Sequence, residues 1–175
     1  MTKIILHEGE FIKLVRKGNW EYVERVKGKD AAYIIPIYEN QWGEPEAVFI
    51  EEFRVPFDRR VIGFPAGLIG DIDSGEDFIT AAHRELTEET GFEAARMRHL
   101  VSGPSSAGLS NELIHYYLAD KLTKVSEGGG DETESITVLN IPLHKAESLL
   151  YKKSEDGYLI DSKVYLGLYW ANRIL

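Results

Sequence analysis

The sequence predicts an α/β (α+β) fold in which a small antiparallel β element precedes a layered α/β/α domain. Short runs rich in β-branched and aromatic residues, broken by turn signals, fill the first half of the chain. Helical patterns are few and well separated. With 175 residues, the chain has room for one domain with a core but not for two large ones. We therefore expect residues 1–27 to form the small element and residues 28–175 the main domain.

The elements follow from these patterns in chain order. Five strands are predicted first, with the sequences IILHE, EFIKLVRK, WEYVERVK, AAYIIPIYE and EAVFIEEFRV. The glycine-rich stretch VIGFPAGLIG and a loop at 71–75 lead into a helix with the sequence GEDFITAAHRELTEETGF. Three further strands are predicted, MRHLVSG, LIHYYLAD and ESITVLNIP, separated by loops at 103–111 and 125–132. Helices at 143–153 and 162–175 complete the domain.

Composition excludes several classes of function. The formal net charge of −9 argues against binding along a nucleic-acid backbone, which requires a basic surface. The chain has no cysteine, so disulfides, thiolate metal sites and a cysteine nucleophile are excluded. The longest apolar stretches are a few residues long, and the N-terminus lacks the apolar core of a signal peptide. We therefore expect a cytoplasmic protein without a membrane partner.

The acidic helix has two faces. Its predicted apolar stripe consists of Ile79, Ala82 and Leu86, and its acidic face of Glu85, Glu88 and Glu89. Carboxylates this close repel one another, and the helix dipole disfavours them near the C-terminal end. Carboxylate oxygens are ligands that Mg²⁺ or Mn²⁺ accepts, so the face is either a solvated surface or a metal site. Helix physics alone leaves both interpretations open.

The spacing of this region resembles the complete Nudix box. Gly70 is followed after five residues by Glu76, and after seven more by the sequence RELTEETGF at 84–92. The resemblance implies a Nudix-type α/β/α sandwich over residues 28–175. It also implies Mg²⁺-dependent hydrolysis, with Mn²⁺ as an alternative ion, of a nucleoside diphosphate linked to another moiety. Glu76 and Arg84 match positions that are structural in the family.

The same resemblance implies roles for four site positions. Glu85 and Glu89 match the usual metal ligands of the family, and Glu88 matches a glutamate that assists catalysis. The backbone carbonyl of Ala66 matches one that completes a metal site.

Three segments outside the box resemble the branch of the family that cleaves ADP-ribose and other nucleoside diphosphate sugars. They are VFIEEFRVP, GFPAGLIG and GPSSAGLSNE. The resemblance implies that substrate is bound by Arg54, Leu109, Ser110 and Glu112. Arg54 also fits an ordinary surface ion pair with a neighbouring glutamate. Ala107 stands where the branch carries a proline associated with ADP-ribose, which leaves other sugars open, including GDP-mannose.

The acidic run GGGDETESITV is the expected source of the general base. By resemblance, Glu132 is the base and Glu134 a metal or water ligand, although the two roles can be exchanged. The alternative is a solvated acidic turn. A nucleobase can stack on Trp20, Tyr22 or Phe53, each of which also fits plain strand packing.

These observations predict a pyrophosphatase that attacks one phosphorus of the substrate with water and releases a nucleoside monophosphate and a sugar phosphate. Hydrolysis of dinucleoside polyphosphates or NADH is an alternative within the same family. A non-catalytic sensor of nucleotide sugars is the alternative outside enzymes, although it would not need the intact acidic set. The strands at 1–27 resemble the dimerisation element of this branch, so a homodimer is expected.

Overall fold

The structure is a computed structural model that describes residues 1–28, 30–70, 75–130 and 135–174. Three N-terminal strands form a separate antiparallel sheet in the order β1-β2-β3. They are β1 (Lys3–Glu8), β2 (Ile12–Lys17) and β3 (Trp20–Arg25). The small antiparallel element expected from the sequence is therefore present.

The remaining strands belong to a mixed sheet with the order β11-β6-β5-β4-β9-β8, to which β10 and β7 add by pairing with β5 and β4. β4 pairs parallel with β9, and β11 pairs parallel with β6. The strands are β4 (Ala31–Glu39), β5 (Pro45–Arg54), β6 (Arg59–Gly63), β7 (Ala66–Leu68), β8 (Phe92–Pro104), β9 (Leu113–Lys124), β10 (Thr137–Pro142) and β11 (Leu159–Ile160). The helices are α1 (Phe78–Thr90), α2 (Ala146–Glu155) and α3 (Lys163–Ile174).

Two hydrophobic cores lie on opposite faces of this sheet. Because side chains alternate along a strand, Tyr33 and Ile35 of β4 join one core and Ala32 and Ile34 the other. The first core includes apolar residues of α2 and α3, and the second those of α1. This arrangement confirms the predicted α/β/α layering.

The buried face of α1 differs from the predicted stripe at one position. Ile79 was expected in the core, but its side chain is 48% exposed. The buried residues of the helix are Ala81, Ala82, Leu86, Glu89 and Thr90. Ile79 lies at the same angle around the helix as Leu86 and Thr90, but it belongs to the first turn, residues 78–80, which is exposed as a whole. The prediction was wrong at that residue because this turn does not pack in the core.

Several predicted boundaries also change, among them those of one helix and one long strand. The helix expected at 143–153 begins later, at Ala146, because Leu143–Lys145 forms a 3-10 turn after Pro142. The strand expected from MRHLVSG is longer, running from Phe92 to Pro104 along β9. Within the described residues, no helix is long and apolar enough to span a membrane.

Candidate active site

Helix α1 is fixed at both ends. Asp77 caps its start, because the carboxylate accepts hydrogen bonds from the backbone N–H groups of Ile79 and Thr80 at 3.0 and 3.1 Å. A hydrogen bond from the Thr80 hydroxyl, supported by these amides, lowers the pKa of Asp77. The helix ends at Gly91, whose φ of 71° is the left-handed conformation that glycine adopts without strain.

The glycine-rich segment after β9 covers the C-terminal end of α1. The N–H of Gly129 donates to the carbonyl of Glu89 at 3.0 Å, and that of Gly130 to the carbonyl of Glu88 at 3.1 Å. The Lys124 ammonium donates to the carbonyl of Thr90 at 2.9 Å. These bonds satisfy carbonyls that have no partner within the helix. The described part of this segment thus holds the helix turn that carries the acidic face.

Glu89 is buried, with 4% of its surface exposed. One of its carboxylate oxygens accepts a 2.9 Å hydrogen bond from the backbone N–H of Ala66, in β7. A buried carboxylate is costly unless it has such partners. Glu89 and Ala66 therefore lie side by side, as a shared metal site would require.

Arg84 lies among the other carboxylates of the box. Its Nε donates to Glu76 at 3.0 Å, and its Nη1 lies 2.7 Å from Glu85 and 3.1 Å from Glu88. The hydrogen bond to Glu76, followed by the charge of Glu85, raises the pKa of Arg84. The guanidinium orients two carboxylates, Glu85 and Glu88, that line a cavity.

A cavity of about 470 Å³ opens over these residues. Among the described residues, six carboxylates and four cationic side chains line it, so its wall carries an excess of negative charge. The carboxylates are Glu52, Glu85, Glu88, Glu89, Glu112 and Asp161, and the cations are Arg25, Arg54, Arg84 and Lys163. Arg54 lies 2.5 Å from Glu52, and Arg25 donates to Glu112 at 2.5 Å.

Most of the predicted site residues meet at this cavity. Its lining includes all three glutamates of the acidic face together with Ala66, Arg54 and Glu112. In this conformation the carboxylates of these glutamates contact Arg84, Arg25 and the Ala66 amide. In the described ranges, no three acidic or histidine side chains are arranged so that they could bind one metal ion.

Two predicted substrate-binding residues lie elsewhere. Leu109 and Ser110 do not line the cavity; the Leu109 carbonyl accepts a 2.8 Å hydrogen bond from the N–H of Val23, and the Ser110 hydroxyl lies 2.9 Å from that of Ser105. Ser110 instead lines a second cavity of about 350 Å³ beside the N-terminal sheet. Trp20 and Tyr22 share that second cavity, whereas Phe53 is an exposed residue of β5.

Glu132 and Glu134, the predicted base and its partner, lie outside the described residues. Their roles remain predictions.

Besides Glu52, which alternates with Arg54 along β5, three charged cavity residues were not predicted from the sequence: Arg25, Asp161 and Lys163. Arg25 reaches the cavity because β3 docks on the loop before β9. Asp161 and Lys163 reach it because β11 pairs with β6 and places the start of α3 beside the cavity. No local pattern in the sequence marks any of them.

Comparison with known proteins gives consistent results. The family profile described as NUDIX domain matches residues 28–162. A methanol dehydrogenase activator from Bacillus methanolicus is 36% identical over 71% of this chain and 64% of its own. An ADP-ribose pyrophosphatase from Bacillus subtilis is 32% identical over 61% of this chain and 57% of its own. A GDP-mannose pyrophosphatase from Yersinia pestis is 29% identical over 86% of this chain and 75% of its own.

The first two of these relatives are therefore matched over less than two thirds of their length. A solved structure described as an ADP compounds hydrolase superposes with a TM-score of 0.75 at 22% identity, covering 100% of this chain and 92% of that one. This likeness shows that the two chains share a fold.

Proposed function

Because the chain belongs to the Nudix family, we propose that it hydrolyses the pyrophosphate bond of nucleoside diphosphate sugars in a reaction that depends on Mg²⁺ or Mn²⁺. The observation that carries the proposal is the cavity in which Glu85, Glu88 and Glu89 face the same space as Arg54. The products are a nucleoside monophosphate and a sugar phosphate. ADP-ribose and GDP-mannose are the first substrates to test, since both relatives named for them are similar to this chain.

The residues of the cavity fit a hard divalent cation. Their ligand atoms are carboxylate and carbonyl oxygens, and carboxylates outnumber cationic side chains among the described lining residues. Glu85, Glu89 and the Ala66 carbonyl would hold the ion, with Glu88 assisting and Glu134 as a further ligand. When bound, such an ion supplies positive charge to phosphate oxygens and makes a water more acidic.

The protein side chains bind and orient the substrate. The fork of Arg54 can hold two oxygens of a diphosphate once substrate replaces Glu52 as its partner. Arg84 keeps Glu85 and Glu88 in place, and the Ala66 amide keeps Glu89 in place. Water attacks one phosphorus, the phosphoanhydride P–O bond breaks, and Glu132 or Glu134 accepts the proton from the water.

The test is a substrate panel with Mg²⁺ that contains ADP-ribose, GDP-mannose, ADP-glucose, NADH and diadenosine polyphosphate. We expect turnover of at least one sugar-linked diphosphate and its loss when EDTA removes the metal. Preference for NADH or the polyphosphate would instead support another Nudix activity. Binding without turnover of any compound would refute the enzyme and support a sensor.

Glu89→Gln should reduce turnover roughly a hundredfold or more, because a metal contributes several kcal/mol to such reactions. The amide oxygen of glutamine can still accept the hydrogen bond from Ala66, so the fold should persist. Glu51→Gln is a matched control, since Glu51 is also buried but pairs with Arg60 and Lys153 away from the cavity. Equal turnover in the wild type and the Glu89 variant would contradict the ligand role.

A further inference from the structure

An ion pair on the cavity wall has no role in the mechanism above. Lys163, the first residue of α3, places its ammonium 2.6 Å from the carboxylate of Asp161, and both side chains line the cavity. The ammonium also lies over the ring of Tyr33, 5.3 Å from its centre. Both side chains are partly buried, with 32% of Lys163 and 23% of Asp161 exposed.

The backbone around this pair is held firmly. The N–H of Asp161 donates to the carbonyl of Ile62, in β6, at 2.9 Å. The carboxylate of Asp161 accepts a 2.9 Å hydrogen bond from the backbone N–H of Lys163. The backbone carbonyl of Asp161 accepts another from the N–H of Val164. A ligand meeting this pair therefore meets a preorganised surface, which reduces the entropy lost on binding.

The pair retains capacity for further hydrogen bonds. An ammonium has three N–H donors and a carboxylate about four acceptor positions, and the contacts described here use one donor and two acceptor positions. Gly63 lies beside the pair without a side chain; a Cβ placed there would be 3.8 Å from Asp161 and 3.9 Å from the Tyr33 hydroxyl oxygen. The missing side chain leaves room for a ligand.

The Asp161–Lys163 pair lies at one end of the cavity, and the Arg25–Glu112 pair lies at the other. In the order β11-β6-β5-β4-β9, Asp161 follows β11, whereas Glu112 precedes β9. The Arg25–Glu112 pair thus lies toward the N-terminal sheet, whose Trp20 and Tyr22 line the second cavity. Glu89 lies between the two ends, since it contacts β7, which pairs with β4.

The chemistry of the pair favours hydroxyl groups over phosphate. Asp161 compensates the charge of Lys163, so the pair presents donors and acceptors together with little net charge. A vicinal diol has the same combination of donors and acceptors. We propose that Asp161 and Lys163 bind the hydroxyl groups of the sugar attached to the diphosphate and so determine which sugar is accepted. The inference rests on the proposed function only in taking a nucleoside diphosphate sugar as the ligand.

Calorimetric titration with two non-hydrolysable probes tests this inference. In the presence of Mg²⁺, α,β-methylene-ADP-ribose carries the terminal sugar and α,β-methylene-ADP lacks it. Lys163→Met and Asp161→Asn should each weaken binding of the first probe about tenfold, the effect of a hydrogen bond to a charged group. Binding of the second probe should stay within about twofold of wild type. In Asp161→Asn, the amide oxygen can still accept from the Lys163 backbone.

Lys153→Met is the matched control. Lys153 also pairs with a carboxylate, Glu51 at 3.3 Å, and lies over a tyrosine ring, Tyr158 at 4.3 Å, but it does not line the cavity. Its substitution should leave the affinity of both probes unchanged.

Three results would overturn the inference. The first is an equal loss of affinity for both probes, which would mean that Lys163 binds phosphate, and the second is unchanged affinity in both variants. The third is a wild-type protein that binds the two probes equally well. Hydrolysis of ADP-ribose itself is measured in parallel. Sugar-dependent binding without hydrolysis would refute the proposed function and leave this inference standing.

Discussion

Arg84 explains how three carboxylates in and just before helix α1 remain close together. It contacts Glu85 and Glu88 from within α1 and Glu76 from the segment before it, and it also donates to the Leu68 carbonyl at 3.3 Å. A single cation beside three anions leaves a local excess of negative charge. Repulsion among the carboxylates then favours the binding of divalent cations, which is the chemistry that the proposed reaction requires.

Gly67 sets how closely the backbone of β7 approaches Glu85. A Cβ at this position would lie 1.9 Å from the carboxyl carbon of Glu85, so Gly67→Ala must displace that side chain. The displaced group is the end of a flexible side chain, and the fold should therefore lose little stability. Misplacement of a catalytic group by about 1 Å can reduce activity about a hundredfold, and we expect a loss of roughly tenfold to a hundredfold in kcat/KM.

Gly103→Ala is the control for that variant, because a Cβ on this strand glycine would meet no atom within 4 Å. It should leave both kcat/KM and the thermal midpoint unchanged. A Gly67→Ala variant that lost both stability and activity, or neither, would contradict the prediction. The position of the Glu85 carboxylate would then not determine kcat/KM.

Sequence spacing predicted the residues that one helix places together. Glu85, Glu88 and Glu89 share a helix face and meet at one cavity, as their spacing implied. Asp161 and Lys163 were not predictable, because their place at the cavity depends on the pairing of β11 with β6. The prediction was wrong at Ile79 because helical periodicity gives the angle of a residue around the helix but not which turns of the helix pack in the core.

The described part of the glycine-rich segment after β9 caps helix α1. A Cβ at Gly91 would lie 2.0 Å from the carbonyl oxygen of Ser126, and one at Gly128 would lie 2.4 Å from the carbonyl carbon of Thr90. Two backbone segments can approach this closely only where both carry glycine. The segment therefore links the end of the acidic helix to the residues that precede Glu132.

Gly91→Ala should destabilise the protein by roughly 3 kcal/mol, combining left-handed strain with overpacking against Ser126. Gly43→Ala measures the cost of the left-handed backbone conformation alone, because Gly43 has a φ of 76° and a new Cβ there would have no atom within 4 Å. That control should cost about 1 kcal/mol. Urea denaturation measures both values, and equal losses would show that the contact between α1 and the segment contributes nothing.

Element boundaries were predictable where pattern and turn residues agreed. β4 was predicted at the residues it occupies, since apolar residues fill it from turn to turn. β8 was predicted too short, because several polar residues such as Glu93 and Arg96 occupy its first half and it gains its pairing from β9. The glycine-rich segment was predicted only as a loop, since backbone hydrogen bonds to a helix end leave no side-chain pattern in the sequence.

The N-terminal sheet joins the described rest of the chain through a few polar contacts near the cavity. Val23 bonds to Leu109, Arg25 pairs with Glu112, and Asn111 donates to Glu24 at 3.3 Å. Within this sheet and its connecting turns Val15 is fully buried, but seven large apolar side chains are more than a third exposed in the chain by itself. They are Ile4, Ile5, Leu6, Phe11, Ile12, Leu14 and Trp20. A second copy of the chain would bury them.

We therefore predict a homodimer formed through residues 1–27, with twice the chain mass of 19.8 kDa in light scattering. Phe11→Asp should convert it to a monomer, because Phe11 is 73% exposed in the single chain and a carboxylate placed in an apolar interface loses its hydration. Trp42→Asp is the matched control, since Trp42 is 75% exposed in a turn of the main domain. A monomeric wild type, or a Phe11 variant that stays dimeric, would show that residues 1–27 do not form a dimer interface. These residues would then contribute to the cavity only, through Arg25.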